Sequence, residues 1–178
     1  MDLFETIASR FSYRGKFTGK NVSRNDLQKI IQAGIDAPTG CNAQSVSFVA
    51  VDDPAVIQAV ATANSERAKP ACLTAQAMVV CIADKKPVYS GTTFYLEDCA
   101  AATQNMLLAI TALGYASVWL EGVLNGGVAE KIGEILGVPK DKEVVVLLPI
   151  GEPEIQGKPN LKKPFEQRAS FNKWDIKT

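Results

Sequence analysis

The chain has 178 residues, 47% of them apolar, with 19 Lys+Arg against 19 Asp+Glu and no histidine. The missing imidazole removes Ser-His-Asp and Cys-His catalysis and every histidine-containing zinc or iron site. Zero net charge argues against an electrostatic binder of nucleic acid or of an acidic membrane. Any chemistry then falls to a bound cofactor, carboxylates, lysine or cysteine.

In chain order, Leu3, Ile7 and Phe11 recur at helical spacing behind Asp2, with Glu5 three residues on, which predicts a short capped helix over about 2–9. Ser23 and Asp26 open a second helix with an apolar stripe of Leu27, Ile30, Ile31, Gly34 and Ile35, stopped near Pro38. Residues 46–51 read as a strand. Asp53-Pro54 starts a helix to about Ala63. The apolar run 77–83 predicts a strand, and residues 92–113 a long buried helix ending at Gly114. A strand follows over 116–120, then a helix over 128–136 stopped by Gly137 and Pro139. The last strand covers 144–150, with Pro149 marking an edge or the end of pairing.

Nearly continuous apolar strands separated by helices predict a sheet covered on both faces, an α/β/α three-layer sandwich of α+β type. At roughly 150 residues per domain, residues 1–178 make one domain. Residues 151–178 carry three prolines and six Lys/Arg, yet also Leu161, Phe165, Phe171 and Trp174. Such aromatics imply docking, on the chain's own domain or on a second subunit. Cys41, Cys72, Cys81 and Cys99 show no metal-ligand spacing and read as reduced thiols, so no metal is expected. Met1-Asp2-Leu3-Phe4-Glu5 lacks the pattern of a signal peptide, and no apolar run reaches the roughly 18 residues of a membrane span. A cytoplasmic protein is the expectation.

Four segments could carry chemistry. In an extended chain Arg10, Ser12 and Arg14 project to one side of Arg10-Phe11-Ser12-Tyr13-Arg14, a phosphate clamp or else a solvated basic turn. The loop Ala37-Pro38-Thr39-Gly40-Cys41-Asn42-Ala43-Gln44 offers several hydrogen bonds to a heterocycle, or simply joins a helix to a strand. Glu121-Gly122 follows a strand end, where ligands of α/β proteins gather, and Lys162-Lys163-Pro164 is a further basic pair. Carboxylates such as Asp98 and Glu130 fit helix capping or surface pairing. No dinucleotide fingerprint, phosphate loop or nucleophile elbow is present.

Taken in order, these segments resemble the FMN-dependent nitroreductase family in its short single-domain form. Arg10-Phe11-Ser12-Tyr13-Arg14 is similar to its Arg-x-Ser-x-Arg opening, and Ala37 to Gln44 to its A-P-S-x-x-N-x-Q loop, with Ser45 and Val46 in place of the usual Pro and Trp. Asp98 to Ala109 resembles the central helix, Ala112 to Trp119 the turn and strand after it, and Ile150-Gly151-Glu152-Pro153 with Lys162-Lys163-Pro164 and Asn172-Lys173-Trp174 the closing segment. The resemblance implies a nitroreductase-like fold with a central mixed sheet, and an intertwined homodimer that exchanges its C-terminal segment. It implies FMN bound by Arg10, Ser12 and Arg14 of one subunit with Lys162 near the phosphate, by Glu121 and Gly122 near ring N5, and with Phe11, Gln44 and Lys163 as further cofactor-binding residues. Pro38, Thr39, Gly40 and Asn42 would come from the other subunit and pack on the ring.

It also implies NAD(P)H as transient co-substrate, hydride transfer through flavin N5, ping-pong kinetics, and a nitroaromatic, quinone or related conjugated acceptor. No side chain is assigned a catalytic step. Lys162 stands where many relatives have Arg, which retains charge but gives up planar geometry. Other readings of the same resemblance are an ene-reductase-like, dehalogenase-like or flavin-fragmenting relative, or a flavin-binding protein without turnover.

Overall fold

Asp2 caps the first helix in both directions, its side chain accepting from the Glu5 amide while the Glu5 carboxylate accepts from the Asp2 amide. That box starts α1 (Leu3–Ser9) where the sequence predicts it. The structure is a computed structural model that describes residues 2–63 and 69–176. Ser23 caps α2 (Arg24–Ile35) by accepting from the Asp26 amide at 3.1 Å. Leu27, Ile30 and Gly34 face inward, whereas Ile35, the last of the predicted stripe, points out to solvent.

The remaining elements are β1 (Val46–Val51), α3 (Pro54–Ala63), α4 (Lys69–Thr74), β2 (Ala77–Asp84), α5 (Tyr95–Ala112), β3 (Ala116–Ser117), α6 (Val128–Leu136) and β4 (Lys142–Gly151). The short α4 is the one helix the sequence pattern does not signal. The strands lie in the order β1-β2-β4-β3, and all three ladders are antiparallel. Among the described residues the mixed character of the sheet rests on one parallel bridge, between Ser12 and Ser117. Continuous apolar strands report burial on both faces, and say nothing of strand direction.

Both faces are covered. Met78, Val80 and Ile82 of β2 pack with Ile57 and Val60 of α3, Ala71 of α4 and Ile132 of α6. The alternate residues Ala77, Val79, Cys81 and Ala83 pack with Leu27 and Ile30 of α2 and with Met106, Leu107 and Ile110 of α5. Full burial of a side chain such as Met106 or Ile110 contributes roughly 1.5–3 kcal/mol. Cys72, Cys81 and Cys99 are small buried residues of these cores, and Cys41 alone of the four is exposed. The Cys81 thiol pKa is pushed up by its hydrogen bond with Cys99 and by burial, as suits an inert core thiol.

Two strand ends differ from the sequence reading for one reason. Pro149 lies inside β4, opposite Met78, and not beyond the ladder. Leu147 exchanges both backbone hydrogen bonds with Leu120, so Pro149, two residues on, faces the same side and has no N–H to give. Pairing on that side therefore lapses between Ser117 and Leu120. The predicted strand 116–120 becomes the two-residue β3 and an isolated bridge at Leu120.

Beyond Gly151 the chain stays beside residues 16–18, with Thr18 donating to the Glu152 carbonyl at 2.8 Å and Glu154 to that of Lys16 at 3.1 Å. Gly157 crosses the ring of Phe11 so closely that a Cβ there would overlap it. From there the arm leaves its own domain. Leu161, Phe171 and Trp174 are 101%, 78% and 82% exposed, and Phe165, 55% exposed, stands beside Phe171 with ring centres 5.7 Å apart. Among the described residues these four side chains belong to neither core cluster of their own domain.

Candidate functional site

Arg10 ends α1 with extended backbone, and residues 10–14 follow as the alternating segment the sequence predicts. The Tyr13 amide donates to the Ser117 carbonyl at 2.8 Å, which ties the segment to the end of β3. Tyr13 is buried against Phe17, with ring centres 5.2 Å apart, and its hydroxyl donates to the Lys16 carbonyl. Phe11 is turned the same way, edge-on to Tyr13 at 6.2 Å and packed on the core. Its ring therefore supports the segment and the start of the arm, on the side away from Arg10, Ser12 and Arg14. Ser12 and Arg14 are exposed and Arg10 is half-buried. Neither guanidinium has an ion pair or a side-chain hydrogen bond among the described residues.

Glu121 and Gly122 lie in the turn after Leu120, both exposed. Trp119 Nε1 donates to the Glu121 carboxylate at 3.1 Å, and the Gly122 carbonyl accepts from Asn125. The Gly122 N–H makes no hydrogen bond among the described residues and is free to meet a ligand. Lys162 and Lys163 are exposed on the arm, five and six residues past the crossing at Phe11.

The loop before β1 is built differently. Gly40–Asn42 forms a distorted 3-10 turn, and Cys41, Asn42 and Gln44 all have positive φ, at 53°, 53° and 49°. Left-handed backbone at a residue with a Cβ costs about 1–2 kcal/mol. Compensating ties are present: the Gln44 amide donates to Thr39 Oγ1 at 3.1 Å, and the Asp84 amide to the Ser45 carbonyl at 2.8 Å. Pro38 and Asn42 are exposed, with Thr39 and Gly40 half-buried. Asp84 is itself held by Lys142 at 3.0 Å, a hydrogen bond that keeps its carboxyl below the ordinary carboxylate range.

A single chain does not bring these groups together. Ser117, beside Ser12, is opposite Ile150, which pairs with Ala77 at one end of β2. Val46, at the exit of the 38–45 loop, pairs with Ala83 at the other end. Six residues of strand separate the two ends, roughly 20 Å.

Asp98 is the site-proximal residue that sequence reasoning misplaces. Read there as a capping or surface carboxylate, it is 2% exposed and accepts from the Gly40 amide at 2.7 Å and the Ser45 hydroxyl at 2.6 Å. The signal was its spacing: Asp98, Ala102 and Met106 occupy successive turns of one buried stripe on α5. Among the described residues no cluster of three or more His, Cys, Asp or Glu could hold a metal, and no helix is long and apolar enough to cross a membrane.

An antiparallel sheet between two helical layers, with an arginine pair unpaired among the described residues at one end and a strained loop at the other, defines an α+β fold whose candidate segments lie apart in one chain. The chain belongs to the nitroreductase family, whose model matches residues 7–77 and 66–152. It is 30% identical over 154 residues to an Archaeoglobus fulgidus protein provisionally named NADH dehydrogenase/NAD(P)H nitroreductase, covering 86% of each chain. A nitroreductase family protein from Clostridium novyi is similar in structure, with TM-score 0.77, 29% identity and 86% of each chain covered. The NADPH:FMN oxidoreductase of Vibrio harveyi, solved with NAD+, superposes with TM-score 0.82 at 25% identity, over 98% of this chain and 79% of that one.

Proposed function

We propose that this nitroreductase-family oxidoreductase binds FMN and uses NAD(P)H to reduce a nitroaromatic, quinone or related conjugated acceptor in a ping-pong cycle. The observation that carries the reading is the pair Arg10 and Arg14. Both are fixed on one side of a segment anchored to Ser117, and both lack an internal carboxylate. Such a donor set fits a phosphate, since guanidinium N–H groups make charge-assisted, often bidentate contacts. Lys162 and Lys163 add point charges from the arm. When bound, FMN supplies the redox chemistry that the side chains of this histidine-free chain do not.

The residues then divide by task. Arg10, Ser12 and Arg14 bind and orient the phosphate-bearing group and offset its negative charge. The free Gly122 N–H donates a hydrogen bond, with Glu121 kept in place by Trp119. Pro38, Thr39, Gly40 and Asn42 form a wall that excludes water from the ring, with Gln44 at its margin. Because the wall and the clamp lie at opposite ends of one sheet, the complete site takes them from two copies of the chain. The same homodimer covers Leu161, Phe165, Phe171 and Trp174 of the arm with Leu3, Phe4 and Ile7 of α1, all exposed in one copy. Residues 151–178 are then the arm of a single domain docking on its partner.

The test is direct. The purified protein should carry a flavin spectrum, bleach anaerobically on addition of NADH or NADPH, and recover on addition of a quinone or nitroaromatic. Protein that takes up FMN but is bleached by neither nucleotide would overturn the oxidoreductase reading in favour of flavin binding alone.

A further inference from the structure

Asp98 lies in the first turn of α5, buried, with no cation beside it among the described residues. Taking a carboxylate out of water costs several kcal/mol unless it is well paired, more than the roughly 0.3–1 kcal/mol that the first turn of a helix returns to an acid, so its hydrogen bonds must account for its burial. Its two oxygens are used at the two ends of one loop. Oδ1 accepts from the amide of Gly40, which opens the strained stretch, and Oδ2 from the hydroxyl of Ser45, which closes it. Between them lie Cys41, Asn42 and Gln44, the three left-handed residues. On its other side Gly40 rests on the ring of Phe94, the residue before α5, so closely that a Cβ would overlap it. One carboxylate and one aromatic ring at the start of the same helix therefore clamp the loop from two sides. Ser45 is also the residue that departs from the family's usual proline, and its hydroxyl supplies the second tie.

We infer that Asp98 is the positioning residue of the 38–45 loop. Acting through Gly40 and Ser45, it sets the backbone shape in which Pro38, Thr39 and Asn42 meet the flavin ring. The inference rests on the FMN reading for what the loop meets, and on the geometry alone for what holds the loop. Charge-assisted hydrogen bonds are about twice as strong as neutral ones, which makes a carboxylate the strongest available clasp for a loop that costs energy to hold.

Cys41, the one exposed cysteine, gives a readout that needs no flavin. A nitroxide attached there in the full-length, FMN-free protein reports the mobility of the loop. The label should be immobilised in the wild type, mobile in Asp98→Ala and intermediate in Ser45→Ala. Asp98→Asn should return it near the wild type, since the amide still accepts from Gly40 and can donate to Ser45. In unlabelled protein FMN affinity should fall roughly tenfold or more in Asp98→Ala, with a shifted visible spectrum of the remaining bound flavin. Asp98→Asn should keep most of that affinity. If Asp98→Ala does not fold, Ser45→Ala carries the test, because it removes one tie and leaves the Gly40 contact. Immobilised labels in both variants, with FMN affinity within about twofold of the wild type, would overturn the inference, as would an Asp98→Asn label as mobile as that of Asp98→Ala. A wild type that takes up no FMN would defeat the proposed function, while the label would still decide whether Asp98 holds the loop.

Discussion

The Tyr13 amide and the Ser117 carbonyl, 2.8 Å apart, fix where the Arg10–Arg14 segment lies. Tyr13 points into the core, so Arg10, Ser12 and Arg14 are held outward with no side-chain hydrogen bond spent on the fold among the described residues.

Replacing either arginine should therefore leave folding intact and weaken the ligand. A charge-assisted hydrogen bond contributes about 1.5–3 kcal/mol, so Arg10→Ala and Arg14→Ala should each weaken FMN binding by roughly 10- to 100-fold. Fluorescence titration checks the affinity, and unchanged thermal midpoints check the fold. Arg14→Lys should recover only part of the loss, because an ammonium keeps the charge and gives up the planar fork.

Truncation after Gly157 should yield a folded monomer with little bound flavin. The crossing of Gly157 over Phe11 is retained, as are the bonds between residues 16–18 and 152–154, so the core loses nothing. What is removed is the exposed set Leu161, Phe165, Phe171 and Trp174 together with Lys162 and Lys163. Light scattering coupled to absorbance reads both quantities. A flavin-loaded dimer of the truncated chain would refute the arm's role.

Ser117 Oγ is buried with no hydrogen-bond partner among the described residues, a burden of about 1–3 kcal/mol. Ser117→Ala removes that burden at the cost of a small void. Stability should rise by up to about 1 kcal/mol, or roughly 2–4 °C in thermal midpoint for a chain of this size. Denaturant melts of the flavin-free protein are the measurement.

Stability should be flat from about pH 5 to 7 and fall below about pH 4. No histidine titrates in the upper window. Asp26, Asp52, Asp84 and Glu152 all have lowered pKa values, chiefly through hydrogen bonds from Lys29, Arg24, Lys142 and Lys20. The folded chain then binds fewer protons than the unfolded one. The stability these groups add is present above their unfolded pKa and lost as pH drops through the folded values. The effect is small for pairs this exposed, and high salt should reduce it. Thermal melts across pH at low and high ionic strength test the sign.

Local physics explains what the sequence reveals. The caps at Asp2 and Ser23, the apolar run of β2 and the glycine stop at Gly137 are set by residues within a turn or two of one another, and the structure reproduces each. The outward row Arg10, Ser12 and Arg14 was legible for the same reason. The clasp at Asp98 was not, since its partners are 58 and 53 residues away. The shortening of β3 depends on a proline in a different strand. The separation of clamp and wall emerges only once strand order and register are known.

That separation has a genetic consequence. If each site draws Arg14 from one chain and Asn42 from the other, a chain lacking only Arg14 and a chain lacking only Asn42 each hold flavin weakly alone. Mixed in equal amounts and allowed to re-pair, they form heterodimers in which one site inherits both lesions and the other inherits neither. About a quarter of all sites would then be whole, and tight flavin binding would return from two weak binders.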